Sequence, residues 1–287
     1  MQTTAPSKAQ PESSSEALQV LLRRAELAAL IERITREDGL HTTAVPHLSL
    51  VRFSEPGYPV RGTCEPAFCV LAQGTKQILL ADEVYVYDSM RYLVASQNLP
   101  VAGQVIEASP QAPYLGFRLD LDPREVAAVS MEVASGAPAA RSTRGLFTGD
   151  LTTALLDASI RLVRLLETPD DIPGLAPLIT REILYRLIRA EGGGSLAQGA
   201  MAGSHAERIG RAIAWLKEHY AEPLRIEDLA RDLGMSASTL HHHFKAITAM
   251  SPLQYQKQLR LLEARRLLLS QAVDSATAGF RVGYESP

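Results

Sequence analysis

The stretch IEDLARDLGMSASTLHHHFKAI, residues 226–247, constrains the fold of this chain more than any other. Two amphipathic segments meet at a glycine. Leu229, Leu233, Leu240, Phe244 and Ile247 supply apolar faces, and Ala230 is small enough to let a second helix approach. Gly234 falls where the first helix must reverse, a position that favours positive φ. Ser236 is placed to cap the next helix. The pattern predicts helix, tight turn, helix, an arrangement whose second helix can enter the major groove of DNA. It also recurs. LARDLGMSAS at 229–238 aligns with AGFRVGYESP at 278–287, with Gly283 matching Gly234, Tyr284 matching Met235 and Gly279 matching Ala230. A long helix over about 252–270 lies between the two copies, so they would reach successive major-groove segments roughly 34 Å apart.

Start signals fix the rest of the C-terminal region. Ser204 with Glu207, and Ser251 with Gln254, are capping boxes, the second with Pro252 at the first helical position. Helices are predicted near 206–220, 226–233, 237–247 and 252–270, with another from about 274. Upstream the chain changes character. Residues 16–38 are helix-forming and end at Gly39. From 45 to 121 come short runs such as LSLVRF, AFCVLAQG, EVYVY and YLGFRLDLD, punctuated by Gly, Pro and Asp. That spacing predicts an antiparallel barrel or sandwich, with Ala81-Asp82 as a hairpin turn. Helices follow near 150–167 and 174–190, separated by Pro169 and Pro173. EGGGSLAQGAMAGS, 191–204, reads as an interdomain linker. Residues 1–16 read as a disordered lead-in.

Composition narrows the class. The net charge of −3 hides an uneven distribution: from His205 onward there are 11 Lys and Arg against 9 Asp and Glu. Within 241–266, Lys245, Lys257, Arg260, Arg265 and Arg266 face Glu263 alone. A basic C-terminal end on an acidic body permits nucleic-acid binding. The uncharged run at 93–106 is short and carries polar residues, so no membrane span is expected. The N-terminus lacks a basic region followed by an apolar one, which leaves the cytoplasm as the expected compartment. Cys64 and Cys69 cannot form a disulfide framework and read as buried thiols.

The histidine triplet invites a metal reading, which geometry opposes. At about 100° per residue, His241, His242 and His243 point in three directions, whereas a helical metal site needs ligands four apart on one face. With Leu240, Phe244 and Ile247 buried, Ser238, His242 and Lys245 face outward, His241 lies on the flank, and His243 leans towards the core. In the barrel region only His47 is available, with His41 just ahead of it and no His-x-His, so a metalloenzyme barrel is not expected. No phosphate loop occurs, and Trp215 reads as core. No cofactor, metal or catalytic residue is assigned. Tyr85 and Tyr87 share one face of a strand and Val84 and Val86 the other, without indicating which face is inside. If the tyrosines point inward with Arg91 or Tyr92 nearby, they suit a small polar or aromatic effector. Otherwise they pack beneath the flanking helices.

On these residues the sequence resembles an AraC/XylS-type transcriptional regulator. The resemblance rests on IEDLARDLGMSASTLHHHFKAITAMSPLQYQKQLRLLEARRLLL with AGFRVGYESP, and more loosely on EPAFCVLAQGTKQILLADEVYVYDSMRYLVASQNLPVAGQVIEASPQAPYLGFRLDLD. It implies an α+β protein of two domains. A cupin-like antiparallel barrel with flanking helices over 17–192 would bind a small-molecule effector. A linker over 193–204 would join it to an all-α helix-turn-helix domain over 205–287. It further implies that Ser238, Thr239, His241 and His242 approach base edges of double-stranded DNA and that helices 150–190 mediate homodimerisation. Lys245 fits a phosphate contact, and Arg260, Arg265 and Arg266 either contact phosphate or pair with Glu263 and other acids. In one respect the sequence departs from the family. It reaches Pro287 where a second reading helix is expected to begin, so a fragment of a longer protein is expected. The alternative is a ligand-binding and dimerisation module that does not bind DNA alone.

Overall fold

The computed structural model describes residues 11–133, 144–270 and 273–285. Helix α1 (Pro11–Ile34) precedes nine strands: β1 (Gly39–Thr42), β2 (Leu48–Phe53), β3 (Val60–Cys64), β4 (Ala67–Gln73), β5 (Thr75–Leu80), β6 (Glu83–Tyr87), β7 (Arg91–Ala95), β8 (Leu99–Glu107) and β9 (Tyr114–Asp120). Then come α2 (Pro123–Val133), β10 (Leu146–Asp150), α3 (Thr153–Arg164), α4 (Ile172–Arg189) and α5 (Gly193–Ala200). The C-terminal helices are α6 (His205–Glu218), α7 (Ile226–Asp232), α8 (Ala237–Thr248), α9 (Pro252–Ser270) and α10 (Ser275–Arg281). No helix among the described residues is long and apolar enough to cross a membrane.

The strands form two antiparallel sheets, in the orders β1-β2-β9-β4-β7-β10 and β3-β8-β5-β6. Alternation of side chains gives the larger sheet two buried faces. Phe68, Val70, Phe117, Tyr92 and Val94 point outward into a core shared with α1, α3 and α4, where Phe68 meets Tyr92 and Phe117 edge-on. Leu71, Leu93, Ala95 and Tyr114 point inward, towards Ile78, Leu80, Tyr87 and Val105 of the smaller sheet. The Ala81-Asp82 hairpin forms as expected between β5 and β6, with Ala81 at φ 50.

Several elements depart from the sequence reading. The expected lead-in over 1–16 falls largely outside the described residues, and the backbone is already helical from Pro11. Helix α2 and strand β10 were not anticipated; each is short and flanks a segment outside the described residues. The expected linker 193–204 instead begins with helix α5, whose Gly193, Gly194, Ser195, Leu196 and Ala197 are buried. A Cβ on Gly193 would sit 2.0 Å from the Leu187 carbonyl oxygen. Glycine serves here for close backbone approach rather than for flexibility.

The C-terminal helices follow their start signals closely. Ser204 Oγ accepts from the Glu207 amide at 2.9 Å, and Ser236 Oγ from the Thr239 amide at 3.1 Å. Ser251 and Gln254 make the reciprocal pair, Gln254 N to Ser251 Oγ at 3.2 Å and Ser251 N to Gln254 Oε1 at 2.9 Å. Gly234 takes φ 63 and Gly283 φ 91, as the repeat predicts. The helical region is not separate from the barrel. Leu240, Phe244, Ile247 and Tyr255 belong to the same buried cluster as Leu93, Leu99 and Leu146. Tyr255 donates to the Asn98 carbonyl at 2.7 Å, and the Gly145 amide donates to Ile247 O at 2.9 Å.

Candidate functional site

Helix α8 has the two-sided character its sequence requires. Leu240, Phe244 and Ile247 are buried, while Ser238, His241, His242 and Lys245 are exposed. No acidic residue lies on this helix. Ser238 Oγ lies 3.0 Å and Thr239 Oγ1 2.7 Å from the capping Ser236 Oγ, so both hydroxyls belong to the N-terminal cap. The three histidines diverge. His243 stacks on His205 of α6 at 4.0 Å between centroids, and His242 meets His243 edge-on at 5.1 Å. Burial first, then the neighbouring His205 and His242, pushes the His243 pKa down. His241 and His242 therefore remain on the outer ridge, and His243 cements α6 to α8.

Arg260 is placed differently from expectation. Its guanidinium donates to three carbonyls, Tyr220 at 2.6 Å, Gly283 at 2.8 Å and Glu222 at 3.0 Å, and it lies over the Tyr284 ring. Those contacts turn its charge inward to tie α9 to the second turn. The assignment of Arg260 to phosphate is corrected accordingly: its donors are used on backbone. Arg266 is bound to Glu263, its neighbour one helical turn back.

In the barrel, β6 resolves the ambiguity left by its sequence. Val84 and Val86 are exposed, and Glu83, Tyr85 and Tyr87 face inward. Tyr87 is buried beside Tyr114, and burial above all pushes both phenols up. Lys76 lies 6.0 Å from the centre of the Tyr114 ring and has no ion pair among the described residues. Arg118 projects from the same inner face of the larger sheet and pairs with Asp120 at 2.7 Å. Cys69 and Arg118 stand at the middle of central strands yet stay partly exposed, whereas their outward-facing neighbours Phe68 and Phe117 are fully buried. The Cys69 thiol is pushed up to about 11 by burial, as suits an inert thiol.

The structure does not bring Arg91 and Tyr92 to that interior. Arg91 is exposed, with Asp150 at 3.7 Å. Tyr92 is buried on the opposite face of its sheet, against Phe68 beneath the helices. The inward parity of β7 belongs to Leu93 and Ala95, which excludes both residues from a site shared with Tyr85 and Tyr87.

A residue that sequence reasoning missed joins the two regions. Arg144 Nη1 donates to the carbonyls of Lys245 and Ala246 at the end of α8, both at 2.7 Å. Its Nε donates to Glu83 at 3.0 Å, and its Nη2 makes a second bond to the same carboxylate. Tyr85 donates to Glu83 at 2.7 Å. Burial works against ionisation of Glu83, but the bonds from Arg144 and Tyr85 outweigh it and hold the carboxyl below its usual range. No local pattern marks Arg144, because its role depends on three segments meeting.

Comparison with known proteins decides the family. The profile of the AraC-type transcriptional regulator N-terminus matches residues 44–195, and a helix-turn-helix profile matches 229–287. The chain belongs to the AraC-type family of transcriptional regulators. The curated relatives include the HTH-type transcriptional activator RhaS of Salmonella schwarzengrund, 32% identical over 125 residues, and that of Citrobacter koseri, 31% identical over 125 residues. Each match covers 43% of this chain and 44% of the relative, so the chain spans less than half the length of the curated relatives it matches. Among solved structures, ToxT of Vibrio cholerae with a bound unsaturated fatty acid aligns with a TM-score of 0.52 at 10% identity, over 88% of this chain and 90% of that one. That likeness concerns the fold alone. The family is one of regulators and not an enzyme class.

Proposed function

We propose that this AraC-type chain is a sequence-specific DNA-binding transcriptional regulator whose barrel binds a small-molecule effector. The observation that carries the reading is the ridge of α8. Ser238, His241, His242 and Lys245 stand exposed, without an acid on the helix, on the second helix of a helix-turn-helix. His241 and His242 serve as base-edge donors or acceptors, and Lys245 as a phosphate contact. Ser238 and Thr239 reach DNA at the helix N-terminus, where the macrodipole favours phosphate. Arg260 supports the fold of the domain rather than touching DNA.

The effector site is the barrel interior, with Tyr85 and Tyr87 from β6, Lys76 of β5 beside Tyr87, and Arg118 from the larger sheet. Phenols beside an ammonium without a carboxylate partner suit a compact effector carrying an acceptor or anionic group. Homodimerisation through the outer helices is supported by Leu175 and Leu178 of α4, both exposed. The reading implies a cytoplasmic protein.

Binding of the DNA upstream of the protein's own gene, against a scrambled duplex, tests the function by fluorescence anisotropy across a salt series. His242→Ala is expected to lose discrimination by roughly tenfold, as for one base contact worth about 1–3 kcal/mol. Lys245→Ala is expected to weaken both duplexes alike and to reduce the salt slope by about 1. Unchanged discrimination in His242→Ala removes its base-reading role. Absence of any sequence preference in the wild-type protein removes the function.

A further inference from the structure

We propose that Arg144 is a positioning residue through which the effector barrel sets the end of the DNA-reading helix. The proposal rests on the function assigned above and concerns its regulation. The last carbonyls of a helix lack intrahelical donors, and a cation placed there also meets the negative end of the macrodipole. Arg144 supplies both at α8: its Nη1 bridges the Ala246 carbonyl and the Lys245 carbonyl, each at 2.7 Å, the latter shared with the Ala249 amide at 3.0 Å. The next residue adds a third contact, from the Gly145 amide to Ile247 O at 2.9 Å.

The end of α8 needs such support. It closes at Ala249 with φ 63, a left-handed conformation that side chains with a Cβ rarely adopt and that glycine normally fills. An alanine stays there when its surroundings hold it. Behind the guanidinium stands Glu83, fixed in turn by the Tyr85 hydroxyl at 2.7 Å. Glu83 and Tyr85 lie on the inward face of β6, the face proposed to meet effector. A chain of charge-assisted bonds thus runs from the barrel interior through Tyr85, Glu83 and Arg144 to the backbone beneath Lys245. An effector that moves Tyr85 or Glu83 moves the same carbonyls, and the coupling is reciprocal by linkage.

The test uses the full chain without effector. Amide exchange over 245–249 and discrimination between the upstream and scrambled duplexes are measured for wild type, Arg144→Gln, Glu83→Gln and the double swap Glu83→Arg with Arg144→Glu. Arg144→Gln is expected to raise exchange over 245–249 and to lower discrimination, each by about tenfold, with Glu83→Gln acting in the same direction. The swap restores the ion pair but presents a carboxylate to carbonyls. It should therefore recover thermal stability while leaving exchange and discrimination impaired. Arg144→Lys, which keeps the charge at the helix end, should fall between wild type and Arg144→Gln and replaces the latter if it does not fold. Unchanged exchange in Arg144→Gln, or full recovery of discrimination by the swap, overturns the proposal. A wild-type protein that shows no sequence preference overturns the function instead, and the exchange measurement still decides the clamp.

Discussion

The two turns of the helical region are near copies in their hydrogen bonds and differ in how deeply they are buried. In the first, the Gly234 amide donates to Arg231 O at 3.0 Å and the Met235 amide to Ala230 O at 2.9 Å. In the second, the Gly283 amide donates to Phe280 O at 3.1 Å and the Tyr284 amide to Gly279 O at 3.0 Å. Around the first turn, Leu229, Ala230 and Leu233 are buried in the large cluster that continues into the barrel. The second turn rests on a small cluster in which only Leu267, Ala278 and Val282 are buried. An arginine donates to the glycine carbonyl of each turn, Arg208 to Gly234 O at 3.1 Å and Arg260 to Gly283 O at 2.8 Å, but Arg260 also donates to the Tyr220 and Glu222 carbonyls, and the second turn adds close backbone contact. The same local sequence solution therefore rests on deeper hydrophobic burial in one place and on a fuller set of directional bonds in the other.

The largest expected effect follows from that close contact. A Cβ on Gly283 would lie 2.0 Å from the Ala221 carbonyl oxygen, in a residue already at φ 91. Gly283→Ala combines left-handed strain of roughly 1–2 kcal/mol with overpacking of roughly 1–3 kcal/mol. The second turn should open, with amide exchange over 275–284 rising about a hundredfold, as about 3 kcal/mol requires. Exchange over 226–248 should barely change. A loss of protection spread evenly over both turns would show that they do not differ as described.

Gly234→Ala should have a smaller effect. A Cβ there meets nothing within 4 Å, so only the φ of 63 opposes it. The expected cost is about 1 kcal/mol, read as a fall in the denaturation midpoint, and Gly234→Asn should cost less because asparagine tolerates this conformation. If Gly234→Ala is as damaging as Gly283→Ala, the open space around Gly234 does not make the first turn more tolerant.

How much of this was legible in sequence depends on whether the cause is local. The helices from 205 onward, their caps, and the positive φ of Gly234 and Gly283 follow from spacing within a few residues, and all were readable. The strands were readable as a class, but their facing was not. The alternation of Tyr85 and Tyr87 with Val84 and Val86 fits either side of a sheet, and only the structure turns the tyrosines inward. Arg91 and Tyr92 were grouped with them by nearness in sequence, whereas β7 presents Leu93 and Ala95 to the interior. Arg260 was read as a surface cation because nothing nearby in sequence announces that the carbonyls of Tyr220, Glu222 and Gly283 converge on it. Arg144 was missed for the same reason. The glycines at 192–194 misled in the other direction, since glycine marks both flexible chain and tight packing.

The smallest effect belongs to the first turn alone and arises from His243. Its ring lies against His205 and edge-on to His242, and burial together with those neighbours depresses its pKa. The folded chain therefore binds a proton at His243 less readily than the unfolded chain does. The unfolded state holds more protons below the ordinary histidine pKa near 6.5, so stability is complete above it and declines as pH falls below it. Between pH 7 and pH 5, above the range in which the carboxylates titrate, the wild-type chain should lose stability and His243→Gln should lose less. Exchange should rise first where α6 meets α8, over 205–209 and 240–248. The second turn, over 275–284, contains no histidine. Acid therefore separates the two modes of support without altering a residue, and equal loosening of both turns at pH 5 would contradict the division drawn between them.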